Sequence, residues 1–202
     1  MQMMSMEQNN HIMIRTFIGI HLPDKVKSFL GDQMNALQKR VIPGVKWVPP
    51  ENLHITIKYL GLLPEELLPA INTAVSDIAN GSFPMRLRVC GFGAFPKLSR
   101  AQVLWVGIAE ECRLVLEEMF WRIDAACCTI TKQQCEQRVF HPHITLGRIR
   151  RRVRTPHEIV EYFTVQNSSI HEDFIADGLT VFRSVLTDTG SVYSILHQTE
   201  AP

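Results

Sequence analysis

The sequence predicts an α+β fold in which a strand, a helix and a second strand occur twice. Three observations support this prediction: strand-like apolar runs alternate with segments of helical spacing, the order of elements returns in the second half of the chain, and the spacing is kept. The interval from Ile20 to His54 differs by one residue from the interval between Ile108 and His143. Such a repeat predicts two lobes related by a pseudo-twofold axis, with antiparallel sheets flanking a central cleft and helices outside.

The first unit consists of two apolar strands separated by a helix. Residues 15–20 form a continuous apolar run typical of a buried strand, and residues 24–41 place apolar side chains at helical spacing. Residues 53–60 alternate as a second strand, introduced by a proline-bearing loop. A further helix is expected over residues 64–78, because a proline and two glutamates precede an apolar stripe.

The second unit repeats this order. Residues 103–108 resemble the first strand, residues 111–128 are helix-like, and residues 140–146 resemble the second strand. The rest of the chain is predicted to form a short helix over residues 155–162 and a hairpin of two strands at 179–186 and 191–197. We expect residues 1–13 to be a disordered extension and residues 14–202 to be a single domain of two lobes.

Composition excludes several classes of protein. The 202 residues are 46% hydrophobic and 20% charged, and no apolar run approaches the roughly 20 residues that span a bilayer. The N-terminus lacks the basic and apolar regions of a secretion signal, which predicts a cytoplasmic protein. A formal net charge of +1 means that any attraction to nucleic acid must be local. The five cysteines lack the paired spacing of a structural zinc site.

Each of the two second strands carries the motif H-x-T. Residues two apart on a strand point to the same face, so His54 and Thr56 project together, as do His143 and Thr145. One such motif carries little weight, because a structural histidine on a strand is common. Two motifs at matching places in an internal repeat favour a shared catalytic cleft.

This residue set suits the cleavage of a phosphodiester. The attacking and leaving oxygens lie on opposite sides of phosphorus, so one histidine can accept a proton while the other donates one. Threonine hydroxyls can donate hydrogen bonds to the non-bridging oxygens. A zinc hydrolase using His54, His141 and His143 is disfavoured, because no carboxylate or cysteine accompanies them at a ligand spacing.

With these motifs the sequence resembles the two-histidine (2H) phosphoesterases, and within them the RNA 2′,3′-cyclic phosphodiesterases, also called 2′-5′ RNA ligases. The matching segments run over nearly the whole chain: RTFIGI at 15–20, WVPPENLHITIKYLG at 47–61, FGAFP at 92–96, VLWVG at 103–107 and FHPHITLGR at 140–148.

The resemblance implies a bilobal fold, neither metal nor cofactor, and RNA with 2′,3′-cyclic phosphate ends or small cyclic nucleotides as substrate. It further implies that His54 is the proton donor, that His143 is the proton acceptor and that the product carries a 2′-phosphate. Run backwards, the same site would join a cyclic end to a 5′-hydroxyl as a 2′-5′ linkage. Nothing implies a protein partner, so we expect a monomer.

The resemblance also points to Arg148 as a ligand of the phosphate or nucleotide. Strand parity argues against placing Arg148 beside Thr145, unless the strand bends after Gly147. Lys58, in contrast, shares parity with Thr56 and is predicted at the edge of the cleft, although a solvated lysine is the competing interpretation.

Two questions therefore stay open, each with two interpretations. The basic stretch from Arg150 to Arg154 either follows the phosphates of an RNA strand or forms a solvated loop. The chain itself is predicted to be an enzyme, and the alternative is a non-catalytic module that binds an RNA end or a nucleotide phosphate. Binding alone does not require two titrating groups, so the paired histidines favour catalysis.

Overall fold

The computed structural model describes residues 11–40, 44–150, 154–188 and 190–199. In chain order their elements are β1 (Met13–His21), α1 (Asp24–Gln38), β2 (Val45–Trp47), β3 (His54–Pro64), α2 (Leu68–Ala79), β4 (Met85–Phe95), β5 (Val103–Ile108), α3 (Glu110–Thr131), β6 (His143–Ile149), α4 (His157–Gln166), β7 (His171–Ala176), β8 (Thr180–Leu186) and β9 (Ser191–Gln198). The α+β prediction is confirmed. Of the extension predicted to be disordered, residues 1–10 lie outside the described ranges, whereas Met13 belongs to β1.

The strands form one antiparallel sheet that is symmetric in its order. The order is β7-β4-β5-β6-β3-β1-β8-β9, and β2 pairs with β6. In the sheet, β3 and β6 pair at a single position, between Ile55 and Ile144. The predicted sheets are thus two halves of one sheet, joined where the two H-x-T strands meet, and corresponding strands lie at equal distances from that junction.

Helices cover one face of the sheet at this junction. The helices α2 and α3 pack together, and α3 also packs on β3. Ile55, Ile57, Ile144 and Leu146 are all at most 3% exposed, as expected for the apolar side of the H-x-T strands. Burial of these side chains fixes which face β3 and β6 turn to the helices, and leaves the opposite face free for polar groups.

Three strands were not predicted from the sequence: the short strand β2 and the longer strands β4 and β7. β4 contains Arg86 and Arg88 together with two glycines, which interrupt an apolar pattern, and β7 begins with three polar residues. Their pairing is held partly by charge, because Arg88 forms an ion pair with Asp173 of β7 at 2.8 Å. Such cross-strand pairs become visible only when the strands are aligned.

The remaining predicted elements are present with shifted ends. The helix expected from Thr155 begins at His157, and the Thr155 hydroxyl accepts the N–H of Ala101 instead of capping the helix. The predicted C-terminal hairpin is confirmed as β8 and β9. Within the described residues, no helix combines the length and apolar character needed to cross a membrane.

Candidate active site

The two H-x-T motifs lie side by side at the centre of the sheet. Because β3 and β6 are antiparallel and pair at Ile55 and Ile144, the register places His54 opposite Thr145 and Thr56 opposite His143. These four side chains belong to the face away from the buried isoleucines. The sequence repeat therefore yields a polar group of two imidazoles and two hydroxyls.

Both imidazole rings are held in the same way. The Nδ1–H of His54 donates to the carbonyl oxygen of Asn52 at 2.7 Å, and the Nδ1–H of His143 donates to the carbonyl oxygen of His141 at 2.7 Å. A carbonyl oxygen only accepts, so Nδ1 carries the proton and Nε2 is the atom free to exchange one. The hydroxyl of Thr56 lies 3.0 Å from Nε2 of His54.

Aromatic side chains surround each histidine. The ring of His54 lies 4.7 Å from that of Phe17 and 5.3 Å, edge-on, from that of Tyr193. The ring of His143 lies 5.0 Å from that of Phe95, also edge-on, and 6.1 Å from that of Trp105. These apolar walls remove water from the imidazoles, which disfavours their charged form.

The pKa values of both histidines reflect this burial. Desolvation lowers the pKa of His54 from 6.5 to about 4; the hydrogen bond to Asn52 opposes this shift, and the nearby His143 adds to it. Desolvation also lowers the pKa of His143, the hydrogen bond to His141 opposes the shift, and the charge of Arg148 adds to it. Burial therefore favours the neutral form of both imidazoles at pH 7.

A cavity of about 220 Å³ opens beside the motifs. Its walls include His54, Thr56, Thr145, Arg148 and Arg15, and none of its lining residues is acidic. This composition suits a bound anion. His143 is not among the lining residues, so the convergence of both imidazoles on one phosphate stays a prediction.

Two β-bulges decide which charged side chains reach the cavity. Thr145 pairs with Trp105 and Gly147 pairs with Leu104, so Leu146 is an extra residue that reverses the alternation of β6. This bulge is the bend that the sequence argument required, and it turns Arg148 into the cavity beside Thr145.

A second β-bulge, in β3, turns Lys58 away from the site. Gly19 pairs with Thr56 and Ile18 with Lys58, so Ile57 is the extra residue. The ammonium of Lys58 contacts the carboxylate of Asp124 on α3, and the two side chains are only 13% and 3% exposed. The predicted position of Lys58 at the cleft edge is wrong, because the parity argument assumed a strand without a bulge.

The same bulge brings in a residue that the sequence argument missed. Tyr59 occupies the place in β3 that Arg148 occupies in β6, and it lines the cavity. Arg15 also lines the cavity, with its guanidinium 5.2 Å from the centre of the Tyr59 ring. In the sequence, the position of Arg15 in the site was indicated only by its spacing from Phe17, because residues two apart on β1 point to the same face.

Metal ligands come together away from this site. Among the described residues, Asp124, Cys128 and Cys135 place their ligand atoms within 4.8 Å of one another, and the three histidines of the rejected zinc hypothesis do not form such a group. The Asp124 carboxylate already pairs with Lys58 and accepts the N–H of Glu136.

The basic stretch after β6 is only partly described. The side chains of Arg150 and Arg154 are exposed, whereas Arg151 and Arg152 lie outside the described residues. A role for this stretch in following an RNA strand stays a prediction.

Comparison with known proteins identifies relatives that match most of the chain. The sequence profile of the family described as LigT like Phosphoesterase matches residues 26–105. A protein of Aeropyrum pernix named RNA 2′,3′-cyclic phosphodiesterase is 31% identical over 168 residues, which cover 78% of this chain and 86% of that protein. A protein of the same name from Aquifex aeolicus is 28% identical over 195 residues, covering 92% and 96% of the two chains.

Solved structures of similar proteins share the fold of this chain over most of its length. A Thermus thermophilus protein superimposes with a TM-score of 0.74 at 25% identity, covering 93% of this chain and 97% of its own. Escherichia coli LigT in complex with 3′-AMP gives a TM-score of 0.71 at 21% identity, over 94% and 99% of the two chains. The chain therefore belongs to the LigT-like phosphoesterases of the 2H superfamily.

Proposed function

We propose that this phosphoesterase hydrolyses 2′,3′-cyclic phosphates at RNA ends to 2′-phosphates, by acid–base catalysis with two histidines and without a metal. The observation that carries the proposal is the pairing of Ile55 with Ile144, which sets the two H-x-T motifs side by side on one face. The names of the relatives supply the substrate class, since the Aeropyrum and Aquifex proteins are named for this reaction. The proposal includes a cytoplasmic monomer.

In this mechanism each histidine works through Nε2. His143 accepts a proton from the attacking water, and His54 gives a proton to the leaving 3′ oxygen. The backbone carbonyls that bind both Nδ1–H groups fix the tautomer and keep Nε2 as the exchanging atom. Microscopic reversibility assigns the opposite roles in ligation, where a 5′-hydroxyl would replace water.

Three further side chains stabilise the transferring phosphoryl group. The hydroxyls of Thr56 and Thr145 line the cavity and donate to the non-bridging oxygens. The guanidinium of Arg148 adds a fixed positive charge that the pentacoordinate transition state uses more strongly than the cyclic monoanion does. Preorganised donors in a partly desolvated cavity act with less solvent screening than the same groups in water.

The proposed donor must acquire its proton when substrate arrives. With a pKa of about 4, which burial causes, His54 is mostly neutral at pH 7. A phosphate placed against Nε2 supplies the negative charge that stabilises the imidazolium. Substrate binding and protonation of His54 are thus coupled steps of the mechanism.

Alanine replacement of either histidine tests the proposal. His54→Ala and His143→Ala should each lower kcat on a 2′,3′-cyclic nucleotide by about 10²–10⁴-fold, the range expected for loss of an acid or base. His157→Ala on α4, where the histidine is exposed, is the matched control and should retain activity. Circular dichroism before the assay shows whether each variant is folded.

Three outcomes would contradict parts of the proposal. Full activity in both active-site variants would remove the two-histidine mechanism. Loss of wild-type activity in EDTA, restored by a divalent cation, would show a metal mechanism. Binding of a cyclic-ended oligonucleotide without opening of its end would instead support the non-catalytic binding module. Chromatography of the product against 2′- and 3′-nucleotide standards decides the regiochemistry.

A further inference from the structure

Two arginines face the same cavity from different strands. Arg15 extends from β1, and Arg148 extends from β6 beyond the bulge. Among the described residues, neither guanidinium forms an ion pair with a carboxylate, and no acidic residue lines the cavity. An arginine that lacks a carboxylate partner within the protein is available to an anion from outside.

One phosphate does not account for both charges. A terminal 2′,3′-cyclic phosphate is a monoanion, and Arg148 together with the protonated His54 already opposes that charge. Arg15 is therefore an additional cation in the cavity. An RNA chain carries a second negative charge at the phosphodiester that precedes the terminal nucleotide.

The placement of Arg15 fits this second phosphate. Phe17 contacts the His54 ring at 4.7 Å, and Arg15 follows on the same face two residues away, about 6.6 Å along β1. This spacing is roughly that of one nucleotide in an extended strand. The Tyr59 ring lies against the guanidinium, 5.2 Å from centre to Cζ, and leaves the guanidinium edge free to donate hydrogen bonds to phosphate oxygens.

We propose that Arg15 binds the internucleotide phosphate next to the cyclic end, so that an RNA chain is preferred over a cyclic mononucleotide. This inference rests on the proposed function and names its substrate more closely. Arg15 is a specificity residue in this proposal, whereas Arg148 serves the reacting phosphate.

A double comparison of enzyme and substrate tests the role of Arg15. The enzymes are the wild type and Arg15→Met, with Arg183→Met as the control, since Arg183 lies on the neighbouring strand β8 outside the cavity lining. The substrates are a 2′,3′-cyclic mononucleotide, a dinucleotide with the same end, and that dinucleotide with an uncharged methylphosphonate linkage.

We expect Arg15→Met to lower kcat/KM about 10- to 100-fold more on the dinucleotide than on the mononucleotide, the size of a lost charge-assisted hydrogen bond. The methylphosphonate should lower the wild-type value by a similar factor and cause little further loss in Arg15→Met. Arg183→Met should keep the wild-type ratio. An equal loss on both nucleotides, additive losses, or no loss at all would overturn the assignment.

A binding measurement separates this inference from the proposed catalysis. Calorimetry with a mononucleotide and a dinucleotide that both end in a 2′-phosphate needs no turnover. The dinucleotide should bind the wild type more tightly, and Arg15→Met should remove that advantage. If this pattern holds in a protein that opens no cyclic end, the phosphate subsite stands while the hydrolytic function fails.

Discussion

Phosphate binding should raise the pKa of His54 by about three units. Burial holds this pKa at about 4, so that only about one molecule in a thousand carries the imidazolium at pH 7. A unit charge at about 4 Å, with the effective dielectric constant of about 20 found near protein surfaces, contributes about 4 kcal/mol. At 1.36 kcal/mol per pKa unit, this interaction raises the pKa to about 7, which suits a proton donor at neutral pH.

Imidazole ¹⁵N chemical shifts measure this change directly. The His54 signals are assigned by their loss in His54→Gln, and the pH is varied between 4 and 8 with and without a 2′-nucleotide at saturation. Sodium chloride at equal ionic strength is the control for screening. A pKa that stays below about 5 with the nucleotide bound would refute the donor role of His54 and require the two histidine roles to be reassigned.

Three further predictions concern stability. The pKa of His54 is lower in the folded state (about 4) than in the unfolded chain (6.5), so the neutral form stabilises the fold above pH 6.5 and this contribution disappears as the pH falls toward 4. Urea unfolding should therefore show that the free energy of unfolding falls by about 2–3 kcal/mol more between pH 7 and 4.5 in the wild type than in His54→Gln. Gly19→Ala places a Cβ 2.7 Å from a backbone oxygen of β3 and should lower the free energy of unfolding by about 1–3 kcal/mol and reduce kcat, whereas Gly31→Ala, whose nearest neighbour is 3.5 Å away, should do neither. Asp124→Asn leaves the Lys58 ammonium without its carboxylate and should lower the free energy of unfolding, measured in urea, by about 3–5 kcal/mol. Adding Lys58→Met to this variant should restore a part of the loss. An unchanged unfolding midpoint in the single variant would show that the ion pair is not stabilising.

The sequence predicts the elements whose pattern is local. Alternation and flanking turns identified the H-x-T strands and the hairpin, and apolar spacing together with start signals identified the helices α1 to α4. The strands β4 and β7 were not predicted, because their charged residues pair with each other across the sheet and interrupt the apolar pattern within each strand. Nonlocal pairing is not visible in a single strand's sequence.

The candidate site divides in the same way. The shared face of each H-x-T motif could be predicted, because strand parity holds within three residues, while the catalytic roles of His54 and His143 stay a proposal. Strand parity fails one residue later, at the bulges. Tyr59 therefore lines the cavity, whereas Lys58, which parity placed there, does not. A bulge depends on how a partner strand is aligned, so its position could not be inferred from either strand alone.

The bulges also give each half of the sheet one equivalent position. An extra residue directly follows the threonine in both halves, as Ile57 in one and Leu146 in the other. The third residue after each threonine is thereby turned into the cavity, where Tyr59 supplies an aromatic ring and Arg148 supplies a cation. The backbone repeat is thus symmetric at this position, whereas the chemistry of the cavity is not.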